Sequence, residues 1–256
     1  MTVEIVCEFG QPQSLSHAMA QVSAAKRCGV DFAKWQILNP DRIAGTDAMA
    51  YWDARLGGPA SQRDTFARDT VLTKQEWQTL ADACREAGVK LLATPFDVAA
   101  VDLLMSLGCD TVKIASGDVT YRPLLERVAM TGWRVFLSTG AASLREIARA
   151  VRWLHGCDVV PLACDLVYPC PAEQSDLGRT IPALKQRHGQ VGYSDHTREV
   201  VTGAVAVALG ATVLEKHVTL DPDDGIPDDK MALTTSEMAI YVERAKQAGT
   251  LMAPVV

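Results

Sequence analysis

The amino-acid sequence predicts a single (β/α)8 TIM barrel of the α/β class, and its length, its composition and one repeated pattern support this prediction. The chain has 256 residues, and about 250 residues is the usual size of such a barrel. Hydrophobic residues make up 48% and charged residues 22% of the chain, which is typical of a globular protein and excludes a disordered or fibrous one. We expect residues 1–256 to form one domain, with an open doubly wound sheet as the alternative fold.

The repeated pattern is an amphipathic helical segment that ends in glycine and is followed by a short apolar run. Glycine suits the position after a helix because it accepts a positive φ, and short apolar runs are typical of parallel strands buried on both faces. Together with the opening run, the pattern predicts eight strands, near residues 3–7, 32–37, 90–94, 110–115, 134–139, 158–163, 190–193 and 211–216. Helices are expected between the strands and over 235–249. The insertion 39–75 is expected to be a mobile loop with short helices near the barrel mouth.

Charge and cysteine content indicate which partners and which compartment to expect. The net charge of −6 argues against binding to nucleic acid or to anionic membranes, because both need a basic surface. No apolar run approaches the roughly 18 residues of a membrane span, and the acidic opening segment does not resemble a signal peptide. The seven cysteines, without a CxxC pair, fit free thiols in a reducing cytoplasm.

Polar side chains crowd the carboxyl ends of the predicted strands, which is where barrel enzymes place their active sites. Lys34 and Lys113 lie in otherwise apolar strands, where an unpaired ammonium is costly, so they indicate an anion site, with a structural ion pair as the alternative. His196 and His217 end neighbouring strands beside acidic residues and indicate a divalent metal site, with hydrogen-bonded structural histidines as the alternative. The remaining histidines are expected at the surface: His17, His155 and His188.

Five segments carry a resemblance to a known family: LLATPFD, KIASGD, LSTGAASLREI, VGYSDHT and GATVLEKHVTLD. Together and in this order they resemble the sialic acid synthases, which include N-acetylneuraminate, legionaminate, pseudaminate and spore-coat relatives. The resemblance runs from about residue 3 to 235. It implies a (β/α)8 barrel that condenses phosphoenolpyruvate with an aldose or another aldehyde, giving a 2-keto acid and phosphate. A divalent metal is implied as cofactor, with Mn²⁺ expected and Mg²⁺, Co²⁺ or Zn²⁺ as alternatives.

The resemblance also implies roles for individual residues. The expected catalytic residues are Glu8, Lys34, Asp118, His196 and His217, of which the two histidines are the expected metal ligands. The residues expected to bind the substrates are Thr94, Lys113, Ser116, Ser138, Ser194 and Tyr168. The serines, the lysines and Thr94 are expected at phosphoenolpyruvate, and Tyr168 is expected near the sugar. Taken alone, Ser116 and Ser138 are equally typical of turns.

The sequence departs from the family in three places. Gln11 and Pro12 stand in the part of the opening motif where the family has an Asn-His pair, and Leu166 replaces an asparagine that contacts phosphoenolpyruvate. We further expect the chain to lack the C-terminal antifreeze-like domain of typical members, which are commonly homodimers. An acceptor other than N-acetylmannosamine is therefore expected. Two further functions stay open: a metal-dependent aldolase or isomerase that does not use phosphoenolpyruvate, and a non-catalytic paralogue that binds a metabolite.

Overall fold

The computed structural model describes residues 2–45, 48–49, 61–67, 72–222 and 227–253. Eight parallel strands in these residues form a barrel: β1 (Glu4–Glu8), β2 (Phe32–Ile37), β3 (Lys90–Pro95), β4 (Thr111–Ile114), β5 (Arg134–Ser138), β6 (Asp158–Cys164), β7 (Gly192–Asp195) and β8 (Val213–Thr219). A short strand, β9 (Leu233–Thr234), pairs with β8 and was not predicted from the sequence.

Helices connect the strands and cover the outside of the barrel. In the described part of the chain they are α1 (Leu15–Cys28), α2 (Pro40–Ile43), α3 (Gln62–Ala67), α4 (Lys74–Ala87), α5 (Val98–Ser106), α6 (Arg122–Ala129), α7 (Leu144–Trp153), α8 (Leu177–His188), α9 (Thr202–Ala208) and α10 (Thr235–Leu251). Within the described residues, no helix is both long and apolar enough to cross a membrane.

The strand order shows that the sheet closes on itself. Neighbouring strands follow the order β3-β2-β1-β8-β7-β6-β5-β4, and β3 and β4 at the two ends of this path lie side by side. Because β1 pairs with β2 on one edge and with β8 on the other, the first and last strands of the barrel meet. This closure confirms the predicted (β/α)8 barrel and excludes the open doubly wound sheet.

The barrel interior is apolar at its amino end and polar at its carboxyl end. A small cluster of buried side chains fills the amino half: Val6, Phe32, Leu92, Phe136, Val160, Leu162 and Val213. The rings of Phe32 and Phe136 meet edge to face at 5.5 Å between centroids. Gly192 makes room for this packing, since a Cβ there would lie 2.3 Å from Cδ2 of Leu162. The apolar layer forms a floor, so an enclosed polar site can exist only at the opposite end.

The insertion between β2 and β3 contributes two short helices at that opposite end. Its residues 46–47, 50–60 and 68–71 lie outside the described residues, so the expected mobility of this loop is not addressed by the structure. Gln11, in the loop after β1, donates from Nε2 to the carbonyl oxygen of Phe66 in α3 at 3.3 Å. This contact brings part of the insertion to the barrel mouth, as the sequence predicted.

Candidate active site

A cavity of about 150 Å³ opens at the carboxyl ends of the strands. All eight barrel strands, or the loops that directly follow them, contribute residues to its wall. Ten of the predicted site residues line it: Glu8, Lys34, Thr94, Lys113, Ser116, Ser138, Tyr168, Ser194, His196 and His217. Closure of the barrel is what brings these side chains together, since they come from positions spread over most of the chain.

A buried network of lysines and carboxylates forms the base of the cavity. Lys34 forms an ion pair with Glu8, and its Nζ lies 3.8 Å from Oε1 of Glu215. Lys113 lies 3.7 Å from Oε2 of the same Glu215, and these side chains are at most 5% exposed. The Ser194 hydroxyl donates to Oε1 of Glu215 at 3.2 Å. The structural ion pair is therefore present, and because both ammonium groups also face the cavity, the anion site stays a prediction.

The network controls the protonation of its members. Burial opposes the charge on Lys34, but Glu215 and Glu8 outweigh burial, and the pKa of Lys34 is raised. Burial lowers the pKa of Lys113, although Glu215 works against it. Burial also disfavours the Glu215 carboxylate, yet Lys113 and Lys34 together hold its pKa below the ordinary value. Glu215 is thus an ionised carboxylate shared between two ammonium groups.

Glu215 is a site residue that the sequence analysis did not select. Side chains alternate between the two faces of a strand, so residues two apart lie on the same face. In β8, that rule places Glu215 beside His217 and puts Lys216 on the opposite face. Once His217 is assigned to the site, the alternation of side chains along β8 therefore predicts that Glu215 belongs to it as well.

The two predicted metal ligands lie together: His196 directly follows β7, and His217 lies in β8. Their ring centroids are 5.8 Å apart, and the ring of Tyr168 lies 4.2 Å from that of His196. Nδ1 of His196 is 2.6 Å from the carbonyl oxygen of Asp165, a bond that assigns the proton of the neutral ring to Nδ1 and leaves a lone pair on Nε2. Nδ1 of His217 lies 3.6 Å from a carboxylate oxygen of Asp228.

Both imidazoles are held in the neutral form. Burial lowers the pKa of His196. Burial lowers the pKa of His217 well below its ordinary value, and the neighbouring His196 and Lys34 add to this effect. Neutral imidazole is the form that binds metal ions. Within the described residues, however, no group of three or more His, Cys, Asp or Glu side chains is arranged as a complete metal site.

The position of His17 differs from what the sequence suggested. His17 was expected at the surface, but both of its ring nitrogens are buried without a hydrogen-bond partner, so that expectation is wrong for the two nitrogens.

The predicted catalytic residue Asp118 lies in a 3-10 turn after β4 and is absent from the cavity wall. Burial raises the pKa of Asp118 to about 6, against the opposing charge of Lys113. A catalytic role for Asp118 stays a prediction.

Behind the cavity wall, the outward faces of β7 and β8 carry a second buried ion pair. Asp195 and Lys216 are register partners, and Lys216 Nζ lies 3.0 Å from Asp195 Oδ2, with both side chains 0% exposed. Asp195 also accepts from the backbone N–H of Thr197 at 2.9 Å and from the hydroxyls of Thr197 and Thr202. Lys216 donates to the Thr197 carbonyl and lies over the ring of Tyr241. This pair ties the strands that carry both histidines to α9 and α10.

Comparisons with known proteins agree with this arrangement. The chain is 36% identical over 229 residues to an uncharacterized protein of Methanocaldococcus jannaschii, covering 88% of this chain but 64% of that protein. It is 32% identical over 252 residues to the N,N'-diacetyllegionaminic acid synthase of Campylobacter jejuni, covering 95% of this chain and 75% of the relative.

A solved structure shows the same architecture. The N-acetylneuraminic acid synthetase of Leptospira borgpetersenii superimposes with a TM-score of 0.84 at 27% identity, covering 100% of this chain and 88% of that one. Residues 21–255 match the NeuB family over most of the sequence. The chain belongs to the NeuB family.

Proposed function

We propose that the protein condenses phosphoenolpyruvate with an aldose or another aldehyde, giving a 2-keto acid and inorganic phosphate. The observation that carries the proposal is the convergence of two buried lysines, four small hydroxyl side chains and two neutral imidazoles on one cavity. The named relatives in the family, which are synthases of N,N'-diacetyllegionaminic acid, pseudaminic acid and N-acetylneuraminate 9-phosphate, support the same reaction class. We place the protein in the cytoplasm, which the free thiols of its seven cysteines support.

The lysines and hydroxyls form the half of the site that suits phosphoenolpyruvate. Lys34 and Lys113 are already desolvated and held by carboxylates, so they complement a phosphate and a carboxylate with little reorganisation. The hydroxyl of Ser138 is buried without a hydrogen-bond partner, and it would donate a hydrogen bond to a phosphate oxygen. Such preorganised donors stabilise the charge that builds on the phosphate as the C–O bond to carbon 2 breaks.

The residues also fit the proposed divalent metal. The Nε2 lone pair of His196 and the neutral ring of His217 provide two ligands, with the Asp228 carboxylate nearby, and nitrogen and oxygen donors suit Mn²⁺, Co²⁺ or Zn²⁺. The remaining positions would be filled by substrate or water, as in metal sites that act on a carbonyl. When bound, the ion would supply Lewis-acid polarisation of the acceptor aldehyde.

The protein's own residues position the reactants and move protons. Carbon 3 of phosphoenolpyruvate forms a bond to the aldehyde carbon, a water adds to carbon 2, and phosphate leaves with the oxygen that linked it to carbon 2. Glu8, which pairs with Lys34 and accepts from Nε2 of Gln36 at 3.0 Å, lies in the wall where it can take a proton from that water. Lys34 holds the Glu8 side chain in position through their ion pair, so the two residues act together.

Two alternative functions make different predictions about phosphoenolpyruvate. An aldolase or isomerase on the same barrel was favoured slightly by Leu166, which stands where the family has an asparagine that contacts phosphoenolpyruvate. Leu166 is 50% exposed and absent from the cavity wall, so the structure does not strengthen this alternative. A non-catalytic paralogue would bind a metabolite without turnover. Both alternatives would use the same lysines for a different anion, so a response to phosphoenolpyruvate and the release of phosphate separate them from the proposal.

Thermal unfolding with Mn²⁺, with phosphoenolpyruvate, and with both together tests the proposal without knowledge of the acceptor. A ligand at a hundredfold excess over its Kd stabilises the folded state by about 2.7 kcal/mol, which corresponds to roughly 5 °C for a chain of this length. We expect the largest upward shift with both ligands. The acceptor is then found by screening aldoses for release of phosphate, and we expect a preference other than N-acetylmannosamine.

The matched variants for this experiment are Lys113→Met and Lys90→Met. Loss of Lys113 breaks a buried charge pair and should weaken phosphoenolpyruvate binding by about 2–5 kcal/mol, which removes the shift. Lys90 lies exposed at the amino end of β3, far from the cavity, and its replacement should leave the shift intact. Absence of any shift in the unmodified protein at millimolar phosphoenolpyruvate with Mn²⁺ refutes the proposal.

A further inference from the structure

A second, smaller cavity adjoins the main one on the side of β1 and β8. It has a volume of about 10 Å³ and shares Glu8, His217 and Asp228 with the wall of the main cavity. Its other polar wall residues are His17 and Gln21 from α1, Thr219 from β8, and Asp229. We call it the His17 cavity. Its volume is at the lower limit for one water-sized group, so it accommodates a single hydroxyl but no phosphate or carboxylate.

His17 is the unusual member of this wall. Both of its ring nitrogens are shielded from solvent and neither has a hydrogen-bond partner. Buried polar atoms are nearly always hydrogen-bonded in folded proteins, because an unsatisfied one forfeits its bonds to water. The neighbouring Gln21 is engaged elsewhere, since its Oε1 accepts from Nε1 of Trp35 at 2.7 Å. The His17 ring faces a small polar cavity with both nitrogens unpaired. A polar group of a bound ligand would therefore complete its hydrogen bonds.

The two cavities differ in whether their walls contain cationic side chains. Lys34 and Lys113 lie in the wall of the main cavity, whereas the wall of the His17 cavity contains no lysine or arginine among its described residues. That wall carries the carboxylates of Glu8, Asp228 and Asp229. Carboxylates repel an anionic group and accept a hydrogen bond from a hydroxyl, while an imidazole N–H donates to the hydroxyl oxygen. The chemistry of the wall therefore selects a neutral hydroxyl.

We propose that the His17 cavity is a subsite that binds one hydroxyl group of the acceptor, with His17 as its specificity-determining residue. The inference rests on the proposed condensation and adds to it the residue and the place that bind one acceptor hydroxyl. Phosphoenolpyruvate occupies the side of the lysines, and the acceptor extends from His217 toward α1. Gln11 and Pro12, which depart from the family's opening motif, lie in the loop that leads from β1 to this helix. A change of acceptor would be accommodated in this region.

The test compares His17→Leu with His17→Gln and with His155→Leu, a control at an exposed histidine. Leucine removes both ring nitrogens, whereas glutamine restores a donor and an acceptor. In the ligand-free protein we expect His17→Leu to raise the Tm by about 2–6 °C, because it removes buried unsatisfied polar atoms. With the best aldose from a panel of four to six carbons, with and without a 2-acetamido group, its KM for the aldose should rise about tenfold. The KM for phosphoenolpyruvate should stay unchanged, and His17→Gln should recover part of the aldose KM.

Two results overturn the subsite. One is a Tm of His17→Leu equal to or below that of the unmodified protein, which would mean that His17 is satisfied without a ligand. The other is an unchanged KM for the aldose. If the unmodified protein releases no phosphate with any aldose, the condensation fails, and the subsite is decided by aldose-induced Tm shifts instead. A shift that is lost in His17→Leu then supports the subsite, and the absence of a shift in the unmodified protein refutes it.

Discussion

Replacing Lys216 by methionine isolates the contribution of the buried ion pair behind the cavity. The change keeps the aliphatic stem and removes an ammonium that is 0% exposed, leaving the Asp195 carboxylate buried. Removing one partner of a buried pair typically costs about 3–5 kcal/mol. Asp195 keeps the hydrogen bonds from Thr197 and from Thr202, so we expect the lower half of that range. At about 2 cal/mol/K of unfolding entropy per residue, this chain loses about 6–8 °C in Tm.

Thermal and denaturant unfolding measure the loss, and two further variants control it. Arg85→Met removes an exposed ion pair with Asp82, whose side chains are 63% and 48% accessible, and should change the stability by less than about 1 kcal/mol. The double variant Asp195→Asn with Lys216→Met leaves no unpaired charge at this position and should recover at least half of the loss. If the Tm of Lys216→Met lies within about 2 °C of that of the unmodified protein, the ion pair does not tie β7 and β8 to α9 and α10.

Three more predictions follow from the site and the floor of the barrel. His217→Ala should lower the Mn²⁺ content measured after dialysis while the fold is kept, and unchanged metal content would remove His217 from the proposed ligands. Because the pKa of Asp118 is raised to about 6 in the fold, the folded state binds this proton more tightly than the unfolded chain and loses stability as the pH rises from about 4 to 6. Asp118→Asn should therefore raise the Tm relative to the unmodified protein at pH 7.5 more than at pH 4.5, and equal differences at both pH values would contradict the assignment. Gly192→Ala should destabilise by about 1–3 kcal/mol in denaturant unfolding, because its Cβ would lie 2.6 Å from the carbonyl oxygen of Val213. Gly178→Ala, at an uncrowded helical position, is the control and should be neutral or stabilising.

The barrel was predictable from the sequence because its signals are local. Each strand from β2 to β8 follows a glycine with positive φ, such as Gly29 or Gly88, at or near the end of the preceding helix, and the pattern needs no knowledge of distant residues. The ends of the strands were less certain. Strand β7 begins at Gly192 and β8 extends to Thr219, later than the apolar runs suggested, because the polar residues that follow those runs continue the ladder inside the barrel.

The site was predictable as a set of residues but less so as a set of contacts. Lys34 and Lys113 were recognisable because a lysine in an apolar strand needs a partner, yet Glu215, the partner of both, was not selected. The buried nitrogens of His17 had no local signal, since they depend on β8 and on residues near Asp228 that are distant in sequence. The burial of these nitrogens depends on residues from several elements that meet only in the folded protein. The sequence pattern of helix α1 alone therefore cannot predict it.

The charges in the main cavity link the proposed metal to the proposed substrate. With both histidines neutral, its wall carries the carboxylates of Glu8, Glu215 and Asp228 against two lysines, a formal charge of −1. Phosphoenolpyruvate is itself an anion, so its entry into this cavity alone is opposed by the field of the wall. A divalent cation reverses the sign of that field, which then attracts the incoming anion. Metal and phosphoenolpyruvate are therefore expected to bind cooperatively, which is why the combined condition in the unfolding experiment should give the largest shift. Independent binding would mean that the lysines alone hold the anion, and that the histidines serve only the acceptor side.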